Sequence, residues 1–292
     1  MQNNPTGTQF HITHGRYGAV VTEVGATLRS LTLDGHEVLW TFAEEEAPSG
    51  SMGRQLLPWP NRIRDGRYTF GGVTHQLPIT EVPRHTALHG LDEGKPWSVV
   101  RHTDDEVVLT ARYYPQRGWT SVLDATIGHR LTDDGLRVTV EVTNVGRSSA
   151  PYGYGAHPYL AADVSTAELT LPFAKELLVD PERLLPIELA DVTPEHDFRE
   201  GRAIGDTQFD TALAGADGPW ELSVKTGGRT VTLWADATLP WGQVFTHPDR
   251  IALAVEPMTC GPDAFNEGPT HDGLIVLEPG ATSRSEWGFR VS

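Results

Sequence analysis

What most constrains this chain is a repeated local pattern. Short runs that alternate apolar and polar residues are separated by turn residues, and extended helical periodicity is almost missing. Residues 67–70 and 73–77 flank Gly71-Gly72, which reads as a hairpin. Residues 97–102 and 106–114 flank Thr103-Asp104-Asp105. Residues 121–131 and 136–144 flank Thr132-Asp133-Asp134-Gly135, the clearest turn in the chain. Residues 221–225 and 230–234 flank Thr226-Gly227-Gly228-Arg229. Strands are also expected over 17–24, over 26–33 before Asp34-Gly35, and over 274–278 and 285–291. Residues 43–55 and 194–200 are each expected to hold a turn or two of helix. The fold class is all-β: a large antiparallel β-sandwich with few short helices, formed by one domain over 1–292.

Composition closes off other classes. The 30 Gly and 21 Pro exclude a helical bundle, and their lack of period excludes collagen. No apolar run is long enough to span a membrane. Residues 1–10 are polar and lack an apolar signal core, so the cytoplasm is the expected compartment. The net charge is −16 and the Lys and Arg residues do not cluster, so no nucleic-acid partner is expected. That charge also disfavours an anionic substrate. Cys260 is the one cysteine, which rules out an intrachain disulfide and a Cys-rich zinc site. His75, His85, His89 and His102 fall in one stretch without metal-ligand spacing to acids, so no metal is expected.

Two segments carry candidate chemistry. The apolar run 251–255 ends on Glu256-Pro257, and proline cannot donate a ladder hydrogen bond. The strand is therefore expected to stop there and leave the carboxylate at an edge. His157 lies in Tyr152-Gly153-Tyr154-Gly155-Ala156-His157-Pro158-Tyr159. An imidazole titrates near neutrality and can give and take a proton. Tyr152, Tyr154 and Tyr159 are candidates to wall a sugar pocket, since aromatic faces stack on sugar C–H faces. Asn61-Arg62-Ile63 follows a Pro-stiffened Trp loop, where a guanidinium offers fixed donors to hydroxyls. His89-Gly90 reads equally well as an ordinary turn. Asp210 is a helix-turn cap or a hydroxyl ligand, and Gln243 ends a strand among polar and aromatic groups.

Taken together, these segments resemble the aldose 1-epimerase (galactose mutarotase) family. The resemblance runs in order from about Gly25 to Gly288. It rests on Asn61-Arg62-Ile63 with Gly66 and Tyr68-Thr69-Phe70-Gly71-Gly72, then Leu88-His89-Gly90 and Gly155-Ala156-His157-Pro158-Tyr159. Glu256-Pro257-Met258-Thr259 and Asp263-Ala264-Phe265-Asn266 complete it. It implies a galactose mutarotase-like supersandwich with the site in a cleft. It implies His157 as general acid and Glu256 as general base. Arg62, with Asn61 beside it, and His89 are implied as sugar ligands. Asp210 takes a sugar hydroxyl and Gln243 lines the cleft. A small-molecule sugar is the expected partner, no cofactor is required, and the chain is a monomer or homodimer. The sequence departs from the family at Leu91-Asp92-Glu93, where many members have a further Gly, and at Cys260-Gly261-Pro262.

The implied activity is interconversion of α and β anomers of a free aldohexose such as glucose or galactose. A hexose-6-phosphate 1-epimerase shares the same pair but needs a cationic clamp, for which Arg54, Arg64 and Arg84 are candidates. A non-catalytic sugar-binding protein on the same scaffold is the remaining alternative. Its expected signature, a lost acid or base, is not found in this sequence.

Overall fold

The computed structural model describes residues 4–292. Among these the only helices are two 3-10 turns, Val82–Arg84 and His271–Gly273. No helix among the described residues is long and apolar enough to cross a membrane. The hairpins form in the expected places, with Arg67–Phe70 on Val73–Gln76, Ser98–His102 on Glu106–Tyr113, Leu123–Thr132 on Gly135–Asn144, and Trp220–Thr226 on Arg229–Ala235.

The two expected helical turns do not form. Residues 43–54 run through turns and bends, because Gly50, Ser51 and Gly53 all take left-handed backbone angles and Pro48 precedes them. Residues 194–200 also turn without becoming helical. There the Glu176 carboxylate accepts the Thr193 N–H and contacts the His196 ring, competing with helical bonding.

Two large antiparallel sheets dominate. One has nine strands, with Leu123–Thr132, Gly135–Asn144, Thr282–Val291 and Arg229–Ala235 at its centre. The other has eight strands, running Pro186–Asp191, Lys175–Val179, Asp210–Ala214, Trp241–Thr246, Ala252–Met258, Gly155–Ala156 and Gln55–Leu56, with Tyr159–Ala161 added to Ala252–Met258. Side chains from both share one hydrophobic cluster, including Ile127, Val140, Leu233 and Phe289 from the first and Leu213, Val244, Leu253 and Val255 from the second. This is the packed-sheet arrangement expected for an all-β chain.

The strand carrying Glu256 does not stop at Pro257. It runs Ala252–Met258, and Pro257 stands opposite Gly242. The Val255 and Thr259 N–H groups donate to the carbonyls of Pro158 and Tyr154, so alternation turns the Pro257 nitrogen to the same side. That side is where the neighbouring chain breaks between Gly155–Ala156 and Tyr159–Ala161. A missing donor costs no ladder bond at such a break. Glu256 therefore lies inside a sheet, not at an edge.

Candidate active site

Strand alternation sorts the residues of Ala252–Met258 onto two faces. Leu253 and Val255 enter the main core, while Ala252 and Ala254 join a separate cluster on the other face with Phe42, Met52 and Tyr159. Glu256 shares that second face. Gln243 stands directly opposite Glu256, and Ala212 opposite Gln243, with Asp210 two residues along on the same face. Gln243 Nε2 donates to Asp210 Oδ1 at 2.9 Å. On the other flank, Gly155 pairs with Met258 and Tyr159 with Ala254, and continuing that register sets His157 against Glu256. Sheet register thus lays Gln243, Glu256 and His157 in one row, with Asp210 diagonal to Gln243 on the same face. His157 Nε2 lies 3.3 Å from Glu256 Oε1. Tyr159 stacks on the His157 ring at 5.1 Å between centroids.

A second wall comes from a small two-stranded sheet, Arg62–Arg64 against Thr86–Leu88. Asn61 and His89 flank it, both with left-handed backbone angles. His89 N–H donates to the Asn61 carbonyl, and Asn61 N–H donates to His89 Nδ1 at 3.2 Å. Because Nδ1 accepts, the neutral ring carries its proton on Nε2, where it serves as a donor. Gly90 follows with φ +78°, and a Cβ there would stand 2.0 Å from the Leu57 carbonyl oxygen. Only glycine fits that turn. His89-Gly90 is thus a turn that delivers an imidazole, not a turn instead of one. Arg62 donates from Nε and Nη2 to both Glu81 oxygens, at 2.8 and 3.0 Å, and from Nη1 to Asn61 Oδ1 at 3.3 Å. Glu81 also takes Arg84 Nη1 and Thr86 Oγ1.

The walls enclose a cleft of about 520 Å³. The expected catalytic and sugar-ligand residues Asn61, Arg62, His89, His157, Asp210, Gln243 and Glu256 all line it. Arg84, a candidate for a phosphate clamp, lines it as well, as do Glu81, Trp40, Phe245 and His247, which no sequence signal marks. Tyr159 reaches the cleft, but Tyr152 and Tyr154 do not. Both are buried in the core, where Tyr154 donates to Gln55 Oε1 and accepts from Trp287 Nε1. Asp210 opens a strand rather than capping a helix. Cys260 is buried beside Gly153 and Gly273 and does not border the cleft.

The floor of the cleft is dry. Burial pushes the His157 imidazole down to about 3, and the Arg54 charge lowers it further. Burial also pushes the Glu256 carboxyl well above its ordinary range, with the Asp210 charge adding to this and Arg62 opposing it. Both shifts favour the uncharged forms of the pair across their 3.3 Å contact, His157 neutral and Glu256 protonated. Burial, His157 and Arg62 likewise hold His89 neutral. The opposite wall behaves differently. Burial alone would raise the Glu81 carboxyl, but hydrogen bonds from Arg62 and Thr86 and the two guanidinium charges leave it lowered. His157 Nδ1, Glu256 Oε2 and Gln243 Oε1 are buried without a hydrogen-bond partner. Unsatisfied buried polar atoms are costly, and these three cluster on residues that line the cleft.

Comparison with known proteins places the chain in a family. Residues 8–290 match the aldose 1-epimerase family. The chain is 33% identical over 286 residues to the uncharacterised Escherichia coli (strain K12) protein YihR, covering 96% of this chain and 92% of YihR. It is 28% identical over 207 residues to the aldose 1-epimerase of the same organism, covering 66% of this chain and 57% of that enzyme. Among solved structures, a putative aldose 1-epimerase of E. coli K12 matches with a TM-score of 0.84 at 24% identity, over 98% of this chain and 99% of the other. The GalM/aldose epimerase homologue of C. elegans matches with a TM-score of 0.86 at 20% identity, over 98% of each, and at that identity shows the fold alone. The galactose mutarotase-like fold is therefore established, and the chain belongs to the aldose 1-epimerase family.

Proposed function

We propose that this protein is a cofactor-independent aldose 1-epimerase acting on a free aldohexose. The observation that carries the reading is the row of Gln243, Glu256 and His157, buried on the face that lines the cleft, with His157 Nε2 3.3 Å from Glu256 Oε1. Anomer exchange needs one group to take the C1 hydroxyl proton and another to protonate the ring oxygen. Glu256 does the first and His157 the second. The C1–O5 bond breaks, and the C1–O1 bond becomes the aldehyde carbonyl. Rotation about C1–C2 presents the other face, and the two groups then reverse roles to close the ring.

The proton inventory is consistent with this cycle. The pair holds one proton throughout. Sugar hydroxyls donating to Glu256 stabilise its anion, and the proton passes to His157 before opening. Opening passes the His157 proton to O5 and the C1 hydroxyl proton to Glu256, which leaves His157 neutral and Glu256 protonated, the distribution that burial already favours. The dry floor thus favours the open-chain stage, where the pair carries no charge. Neutral His89 donates from Nε2, and Arg62 and Asp210 address further hydroxyls.

A phosphorylated substrate fits less well. Arg62 and Arg84 share Glu81, Arg54 pairs with Glu93, and Arg64 pairs with Asp263. Each candidate clamp residue already has an acid. Polarimetry on freshly dissolved α-glucose and α-galactose tests the reading: the protein should accelerate mutarotation well beyond the spontaneous rate. An unchanged rate across several aldoses would refute it, and exclusive turnover of glucose 6-phosphate would favour the phosphate enzyme.

A further inference from the structure

The segment Asp263-Ala264-Phe265-Asn266 has no part in the proton chemistry and does not line the cleft. Its contacts nevertheless converge on the second wall. Asp263 N–H donates to the Arg62 carbonyl at 2.7 Å. Asp263 Oδ1 accepts the Arg64 N–H at 2.8 Å and Asn266 Nδ2 at 2.8 Å. Asp263 Oδ2 lies 3.1 Å from Arg64 Nη2. Asn266 Nδ2 also donates to the Arg67 carbonyl at 2.9 Å. Asp263 is 3% exposed and has φ +59°. A buried carboxylate in a left-handed conformation is held there by its surroundings, and here those surroundings are the strand that carries Arg62.

We infer that Asp263 is a positioning residue that fixes the arginine wall relative to the proton-transfer floor. The chain leaves Glu256 in the sheet, and seven residues later it clamps Arg62–Arg64 at both a carbonyl and an N–H. That strand pairs with Thr86–Leu88, so the clamp also bears on the wall that presents His89. The bare alternative is a loop acid that satisfies local backbone donors. It does not explain why all three of the named ties to Arg62 and Arg64 serve one strand of a two-stranded sheet, which has no large sheet to hold it.

The kinetic half of the test rests on the proposed reading of Arg62 as a sugar ligand. Asp263→Gly removes the carboxylate yet tolerates the left-handed backbone, and should raise KM for galactose about ten-fold while kcat changes less than about three-fold. Asp263→Asn keeps an acceptor oxygen and should restore most of the loss. In an Arg62→Ala background, Asp263→Gly should raise KM by a clearly smaller factor, the remainder acting through His89. The same KM factor in both backgrounds would overturn the inference. A second readout needs no activity. Amide hydrogen exchange at Ile63, Arg64 and His89 should quicken in Asp263→Gly while Ala252–Met258 stays protected. Unchanged exchange at those three amides would also overturn it. If the wild-type protein leaves mutarotation unaccelerated, the functional reading fails and exchange alone decides the positioning role. If Asp263→Gly does not fold, Asn266→Ala replaces it, with a smaller KM rise and quickened exchange expected at the same three amides.

Discussion

The two walls of the cleft are built by opposite means. The floor takes its geometry from sheet register: Gln243, Glu256 and His157 line up, with Asp210 diagonal to Gln243, because adjacent strands pair at fixed offsets. The facing wall takes its geometry from turns, with Asn61 and His89 in left-handed angles, Gly90 against the Leu57 carbonyl, and a pair of short strands between. The electrostatics divide the same way. On the floor burial wins and drives His157 and Glu256 towards neutral forms. On the wall hydrogen bonds and opposite charges win, and Glu81 stays ionised between Arg62 and Arg84. A proton-transfer pair works best when neither partner is locked into its charged state. A hydroxyl-binding wall works best when its charges are fixed and its donors aimed.

The division predicts the largest effect on the floor. Glu256→Gln is nearly isosteric and should leave sugar binding intact while lowering kcat by roughly 10²–10⁴-fold. Calorimetric binding of galactose beside polarimetric turnover checks both halves. A variant that keeps full activity would remove the assigned base. The pH profile of the wild type sharpens the same point. The free-enzyme acid limb of kcat/KM should lie near His157's lowered value of about 3, far below the ordinary histidine value of 6.5. The profile should be flat through the histidine range until the raised Glu256 group loses its proton at high pH. An inflection near 6.5 would mean the floor is wetter and more charged than its burial implies.

The wall should respond in KM. Arg62→Ala removes fixed donors but leaves Glu81 held by Arg84 and Thr86. KM should rise about ten-fold or more, with a smaller change in kcat, because the lost contacts serve ground state and transition state alike. A fall in kcat as deep as that of Glu256→Gln would erase the distinction between the walls.

How much of this was legible in the sequence follows from the same contrast. The hairpins around Gly71-Gly72 and Thr132-Asp133-Asp134-Gly135 were readable because alternation and turn chemistry are local signals. Glu256, His157 and Arg62 stood out locally as candidates, but only the family resemblance joined them, since His157 and Glu256 are ninety-nine positions apart and meet through strand pairing. Local reading misplaced Pro257, because the break in the neighbouring strand that makes a proline harmless there lies a hundred residues earlier. It also placed Tyr152 and Tyr154 at a pocket, since an aromatic run does not say which of its faces meets the core. Glu81 was missed altogether. Nothing near it in sequence reveals that Arg62 and Arg84 will close on one carboxylate.

Glu81 supplies the smallest and most discriminating test. Its folded-state pKa lies below the ordinary 4.5 because the contacts from Arg62, Thr86 and Arg84 outweigh burial. A depressed carboxylate adds stability that is present above the unfolded-state value and is lost as pH falls through the folded-state value. Glu81→Gln lacks that contribution at every pH. Its melting temperature should therefore fall below wild type by about 2–4 °C near neutrality. The gap should close as pH drops below about 4.5, where the wild-type carboxylate takes up its proton. Thermal unfolding of both proteins at neutral and acidic pH checks the sign. A gap that stays constant with pH would mean Glu81 contributes packing alone, and the wall would then owe its order to turn geometry without help from charge.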